Sequence, residues 1–219
     1  MTVQDETAYE PEPRLGVDVV GFGVGEIAYL LDVFEGPARD RSVSVFRAEE
    51  MVDDVTLATA GASSLLARDM AAVDEEGDLG VTGVAAAVAA AFGQATRWTE
   101  VSLLAPESMD NVLLIEASDI ALMLQPRLLG TWFAFAQDPA ITSAEATLRL
   151  VRQHAQDNPG GSAYFVFKTL GDETHLLVRR EGDSWTTGVP DFATDQVEET
   201  EGLDDAALLR AIEDCRGQA

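Results

Sequence analysis

The sequence predicts an α/β fold of the α+β type, in which a central, mainly antiparallel sheet is flanked by helices. Two observations lead to this prediction. Short apolar or alternating runs recur from residue 99 onward with turn-forming residues between them, which is typical of antiparallel strands. Alanine- and leucine-rich segments with helical spacing precede and separate those runs, and they supply helices to pack outside the sheet.

The first part of the domain, before residue 99, is predicted to be helix-rich with two short strands. Apolar residues at 17–22 and 43–46 predict these strands. A helix over about 26–34 is expected to end at Gly36 and Pro37, because both residues disfavour continuation of a helix. Two further alanine-rich helices are expected at residues 51–72 and 83–92.

The second part, residues 99–219, is predicted to be strand-rich. Strands are expected at residues 99–104, 111–116, 120–124, 163–168, 175–180 and 185–189, and helices at 142–157 and 204–215. This order of elements predicts a duplicated βββα unit within residues 99–215, with six strands in one sheet. Residues 191–205 contain seven acidic side chains and no basic one, so we expect a solvated loop there.

Length and composition favour a single domain, residues 16–219, preceded by a flexible acidic arm at residues 1–15. The 219 residues are 47% hydrophobic, which is enough to build one large core. The longest apolar run, 84–92, is far shorter than the ~20 residues that span a bilayer, and the acidic start is unlike a signal peptide. With Cys215 as the single cysteine, the sequence predicts a cytoplasmic protein without disulfides or membrane contact.

The charge of the chain is its most distinctive bulk property. Thirty-nine acidic and fourteen basic residues give a net charge of −25, which argues against binding to nucleic acids. Lys168 is the only lysine, so the remaining basic residues are arginines, as expected for a GC-rich genome. Two explanations of the acidity stay open, namely adaptation to a halophilic host and attraction of a basic partner.

The segment at 17–34 contains a glycine pattern that could bind a nucleotide. Gly23 and Gly25 fit a loose dinucleotide-binding fingerprint, and Glu49 lies at roughly the distance expected of a ribose-binding acid. Against this, Glu26 would place a negative charge beside the phosphates, and the region has no lysine for a phosphate loop. The favoured interpretation is a tight turn at which a helix packs closely. The alternative is a small-molecule sensor or regulatory domain that uses residues 17–49.

Signals for catalysis are weak throughout the sequence. His154 and His175 are the only histidines, and Cys215 has no histidine near it in sequence. Ser63 lies in a helical pattern and lacks the glycine that closes a nucleophile elbow. The sequence therefore predicts a non-enzymatic protein without a cofactor or a metal.

The connector RLLGTWFAFAQ, at 127–137, is the apolar feature with the best prospect of binding another protein. Aromatic and leucine side chains dominate protein interfaces. The candidate interface residues are Leu128, Leu129, Trp132, Phe133 and Phe135. The competing interpretation is a fourth strand at 131–136, with Trp132 on one face and the two phenylalanines on the other, in which these residues belong to the core.

Several stretches together resemble the actinobacterial specificity chaperones of type VII (ESX) secretion. They are GASSLLARDMAAVDEEGDLGVTGVAAAVAAAFGQATRWTEVSLLA, NVLLIEASDIALML, HLLVRREGDSWTTGVPD and DDAALLRAIEDC, and the resemblance as a whole covers residues 50–215. The resemblance implies a non-enzymatic α/β protein with a quasi-twofold arrangement that acts as an adaptor or chaperone. It further implies that the partner is a helical secretion substrate. No binding residue is carried over, since none matches a specific motif.

Overall fold

The computed structural model describes residues 19–219, and the predicted arm at residues 1–15 lies outside this range. The helices are α1 (Val24–Asp32), α2 (Pro37–Phe46), α3 (Glu49–Val52), α4 (Val55–Ala67), α5 (Gly83–Gln94), α6 (Ser143–Asp157) and α7 (Asp205–Gln218). The strands are β1 (Val20–Phe22), β2 (Ala71–Val73), β3 (Leu79–Val81), β4 (Arg97–Ala105), β5 (Ser108–Glu116), β6 (Ala121–Pro126), β7 (Trp132–Ala136), β8 (Ser162–Lys168), β9 (Glu173–Glu181), β10 (Ser184–Asp191) and β11 (Gln196–Leu203). This composition confirms the predicted α+β fold.

Nine of the strands form one antiparallel sheet, in the order β1-β7-β6-β5-β4-β8-β9-β10-β11. The remaining pair, β2 and β3, forms a small hairpin of its own. Long hairpins build most of the sheet, because β4 pairs with β5, β5 with β6 and β6 with β7 without interruption. The predicted central antiparallel sheet is therefore present.

The strand order shows a twofold repeat about the contact between β4 and β8. Strands β4–β7 run outward in one direction and end in α6, and strands β8–β11 run outward in the other and end in α7. Each unit is ββββα, whereas the sequence predicted βββα. The missing fourth strands are β7, which falls within the connector at 127–137, and β11, which falls within the acidic segment at 191–205.

The acidic segment was expected to be a loop, and that expectation is wrong for residues 196–203. Strand β11 pairs with β10 from Gln196 to Leu203, with a bulge between Trp185 and Thr187. Its side chains are exposed, so its glutamates stay solvated while the backbone completes the sheet. Charge patterning alone therefore could not distinguish this strand from a loop.

The strand predicted at 43–46 is also wrong, because these residues form the end of α2. Val43 and Val45 are buried, but the hydrogen bonds of Ser42 help to fix the segment as a helix against the core. The Ser42 hydroxyl donates to the Phe92 carbonyl at 2.7 Å and accepts from the Trp98 indole at 2.9 Å. Tertiary packing has outweighed the local β preference of valine here.

Two layers of helices enclose the core on opposite faces of the sheet. The N-terminal layer, α1–α5, covers one face of β4–β7, and the core between them includes Leu30, Leu65 and Phe92 of the helices and Trp98 of β4. Helices α6 and α7 cover the other face across the β4–β8 contact. Within the described residues, the core under the N-terminal layer takes no side chain from β8–β11, so that layer covers only one half of the sheet.

Candidate protein-binding surface

In the glycine segment, the position at the start of α1 where a phosphate would bind is occupied by the side chain of Glu26. Gly23 precedes α1, and its backbone N–H donates to Glu26 at 2.9 Å. Ser64 donates to the same carboxylate at 2.7 Å, and Arg68 donates to both of its oxygens at 2.7 and 2.8 Å. Burial acts to raise the pKa of Glu26, but these hydrogen bonds outweigh it and lower the pKa below its ordinary value. The positive end of α1 therefore already holds an anion.

Gly25, the second glycine of the segment, allows helices α1 and α4 to cross at close distance. A Cβ added to Gly61 of α4 would lie 1.9 Å from the Gly25 carbonyl oxygen, and one added to Gly25 would lie 2.9 Å from the Leu57 carbonyl oxygen. Close packing at this turn was expected, but between a helix and a strand. The structure shows that two helices meet there instead.

Glu49 does not stand where a ribose-binding acid would stand. It is exposed and begins α3, because the strand expected before it is part of α2. Strand β1 pairs antiparallel with β7 rather than with a following parallel strand. The parallel βαβ unit on which a dinucleotide site depends is thus absent from residues 19–219.

The histidines and the cysteine have structural contacts. His154 Nε2 lies 2.9 Å from the Leu104 carbonyl oxygen, and His175 Nδ1 lies 2.6 Å from the Tyr164 hydroxyl. Burial, with a contribution from the charge of Asp214, raises the pKa of the Cys215 thiol, which makes it a poor nucleophile. Within the described chain, no three histidine, cysteine, aspartate or glutamate side chains group closely enough to hold a metal.

The turn between β6 and β7 presents two adjacent leucines to solvent. Leu128 is 89% exposed and Leu129 is 96% exposed, and Leu129 has a left-handed backbone with φ of 62°. The Arg127 N–H donates to the Thr131 carbonyl at 2.7 Å and closes the turn. We call residues 127–131 the leucine turn. Fully exposed adjacent leucines gain nothing within the described fold, so they mark a candidate contact surface.

The leucine turn is held against α1. Gly130 has φ of 68°, and a Cβ added to it would lie 3.2 Å from the Val24 side chain. Below the turn, the Arg127 guanidinium donates to the Gln125 side chain at 2.7 Å. Backbone closure and these contacts fix the position of the leucines, which lowers the entropic cost of binding through them.

The three aromatic residues of the connector lie in β7, as the competing interpretation expected. Trp132 faces the N-terminal layer, where its ring centroid lies 4.8 Å from that of Phe46. Phe133 pairs with Gly21 of β1 and its ring covers that glycine, and Phe135 pairs with Met123 of β6. All three are partly buried. The structure therefore divides the candidate residues into an exposed pair and a strand that contributes to packing.

A cavity of about 360 Å³ opens beside Trp132, next to the leucine turn. It lies on the sheet face that carries the N-terminal layer, at the end of α2. Its lining combines apolar residues, among them Val45, Phe46, Met109, Pro126 and Trp132, with the polar residues Arg47, Glu100, Ser102 and Asn111. Met109 is 61% exposed at its rim. Sequence reasoning missed Met109, because its role depends on the pairing of β5 with β6.

A smaller apolar groove, of about 270 Å³, runs beside α6 on the opposite face. Leu114, Met123, Ile141 and Leu150 line it, and Phe135 is the cross-strand neighbour of Met123. Strand β7 is thus bordered by a concave surface on each face of the sheet, the cavity near Trp132 at its start and this groove near Ala136 at its end.

A cavity of about 640 Å³, with both polar and apolar lining residues, lies between the start of α6 and the end of α7. Arg216 donates to both carboxylate oxygens of Glu116 at 2.9 and 3.0 Å, and Ser143 donates to one of them at 2.7 Å. Arg97 donates to the Arg216 carbonyl. These contacts join α6 and α7 to β4 and β5, so Arg97, Glu116 and Arg216 help to hold the fold together. The paired residues lie up to 119 positions apart in the sequence, so no local motif indicates them.

Comparison with known proteins adds no assignment. No protein-family model matches the chain, and no curated protein matches it significantly in sequence. In the described part of the chain, no helix is both long enough and apolar enough to cross a membrane.

Proposed function

We propose that this chain is a cytoplasmic, non-enzymatic adaptor or chaperone that binds another protein through the leucine turn and the apolar surface beside it. The exposure of Leu128 and Leu129 on a fixed turn carries the proposal. Leucine side chains that are held in place can be buried by a partner without first being ordered. The adjoining cavity beside Trp132 offers a pocket for an apolar anchor of that partner.

The class of partner follows from the resemblance to type VII secretion chaperones. A helical secretion substrate is the partner that we propose, and the two exposed leucines suit the apolar face of a helix. The net negative charge of the chain would speed the approach of a partner with basic residues, with more effect on association rate than on affinity.

The proposal is tested by replacing both leucines with aspartate and purifying the protein with its partners from the native host. The Leu128→Asp, Leu129→Asp variant is expected to lose its partner while its thermal melt stays unchanged, because both side chains are exposed. Val55→Asp is a matched control, since Val55 is 77% exposed on α4. Partners identified by mass spectrometry that persist equally in all three proteins would refute binding through the leucine turn.

The secretion assignment is tested separately by the identity of the partner that is lost. A helical protein exported by a type VII system supports it. If the lost partner is instead a metabolic enzyme or a regulator, the chain is an adaptor that serves another pathway.

A further inference from the structure

Strand β11 forms a long open edge of the nine-stranded sheet. It has eight residues, Gln196–Leu203, and pairs only with β10 among the described residues. The opposite edge, β1, has three residues. The outer side of β11 therefore offers a row of backbone N–H and C=O groups to any segment that can add as a further strand.

The charges on β11 select against self-association. The strand carries Glu198, Glu199 and Glu201, and residues 191–205 around it contain no basic side chain. Antiparallel pairing of two copies through this edge would bring glutamates opposite glutamates, which is unfavourable. The first 18 residues hold five acidic side chains and one arginine, so their charge does not complement the edge either.

The same charges are complementary to a strand rich in lysine and arginine. Glu199 of β11 is already paired with Arg179 of β9, at 2.8 Å, across the intervening strand β10. Glu198 and Glu201 make no ion pair within residues 19–219, and both are exposed. A basic strand beside β11 would give them partners while its backbone completes the hydrogen bonds of the edge.

Apolar side chains beside β11 add contacts for the non-charged residues of such a strand. Val197 lies within β11, and Phe192 lies in the turn that leads to it. Both are exposed, at 45% and 69%. Successive side chains of a strand alternate between the two faces of the sheet, so a segment that carries basic residues on both faces, with apolar residues among them, would match this edge.

We propose that β11 accepts an extended, basic segment of a partner protein as a tenth strand of the sheet. This is a second interaction surface at the far end of the sheet from β7, and it does not depend on the leucine turn. The glutamates act in two ways, since they prevent pairing with another copy and favour a cationic strand.

The test uses purified protein and a synthetic peptide in which pairs of lysines are separated by single valines, so that lysines lie on both faces of the added strand. The control peptide is methylated at every backbone nitrogen, so it has the same charge but cannot form a ladder. NMR spectra of the ¹⁵N-labelled protein should show shifts and slowed amide exchange at residues 196–203 with the first peptide only. The double variant Glu198→Lys, Glu201→Lys should bind that peptide roughly tenfold more weakly.

A second double variant with the same change in charge distinguishes binding at β11 from attraction by the overall charge of the protein. Glu75→Lys with Glu76→Lys makes the same change in the exposed β2–β3 turn and should leave binding nearly unchanged. Equal binding of the methylated peptide, shifts centred elsewhere, or equal weakening by both double variants would each overturn the proposal. Self-association through β11 in sedimentation experiments would overturn it as well. The Leu128→Asp, Leu129→Asp variant should still bind the peptide, so failure here is distinct from failure of the adaptor proposal.

Discussion

Glu26 belongs to the glycine segment that suggests an anion-binding site, and its own carboxylate occupies that site. Its carboxylate is buried beside Arg68, Ser64 and the Gly23 N–H, and its pKa is lowered. When the pKa of a carboxyl group is lower in the folded than in the unfolded protein, its ionisation stabilises the fold. This contribution is complete above the unfolded pKa of about 4.3 and is lost as the pH falls through the folded pKa. We therefore expect Glu26→Gln to destabilise the fold by about 2 kcal/mol at pH 7 and much less near pH 3. Urea unfolding of both proteins across this range measures the difference, and a difference independent of pH would contradict the assignment.

Gly61 provides a second test at the scale of single residues. Gly→Ala within a helix normally stabilises by up to about 1 kcal/mol. At Gly61 the new Cβ would collide with the Gly25 carbonyl, so we expect Gly61→Ala to destabilise by about 3 kcal/mol. Gly217→Ala in α7 is the matched control, because no atom lies within 4 Å of its added Cβ and the change should be neutral or stabilising. Equal denaturation midpoints for the two variants would show that the helices separate easily.

At the scale of elements, strand β7 distinguishes packing from binding. Trp132 packs on Phe46 within the N-terminal layer, so Trp132→Ala should lower the free energy of unfolding by about 2–3 kcal/mol. Replacing Leu128 and Leu129 with alanine should change it by less than about 0.5 kcal/mol. Chemical denaturation of the variants gives both values. If the Trp132→Ala variant is as stable as the unaltered protein, Trp132 belongs to the contact surface rather than to the core.

The elements that sequence reasoning predicted correctly are those with local signals. Helix α6, predicted at 142–157, begins at a capping box of Thr142 and Glu145, a signal that is local in the sequence. Segment 43–46 was misassigned because its alternating valines suit a strand, while the burial that makes it helical comes from Phe92 and Trp98. Strand β11 was missed because an edge strand needs no apolar face. The leucines of the turn were named together with three aromatic residues, and only the pairing of β7 with β1 and β6 shows that the leucines are exposed while the aromatic residues are partly buried.

At the scale of the whole molecule, the net charge of −25 governs the response to salt. Like charges repel across the surface, and salt screens them beyond a Debye length of about 8–10 Å near physiological ionic strength. We therefore expect the melting temperature to rise along a potassium chloride series toward molar concentration. A series of thermal melts tests this expectation, and a flat or falling melting temperature would refute it.

The pairing of β1 with β7 has a consequence for the order in which the protein assembles. Most neighbouring strands are joined by hairpins, but Val20 pairs with Ala134, 114 positions along the chain. Closing so long a loop costs more entropy than forming the hairpins, and contacts distant in sequence slow folding. We expect the hairpins of β4–β7 to form early and β1 to join them late. In pulse-labelling hydrogen exchange, the amides of residues 20–22 should therefore gain protection after those of 97–126.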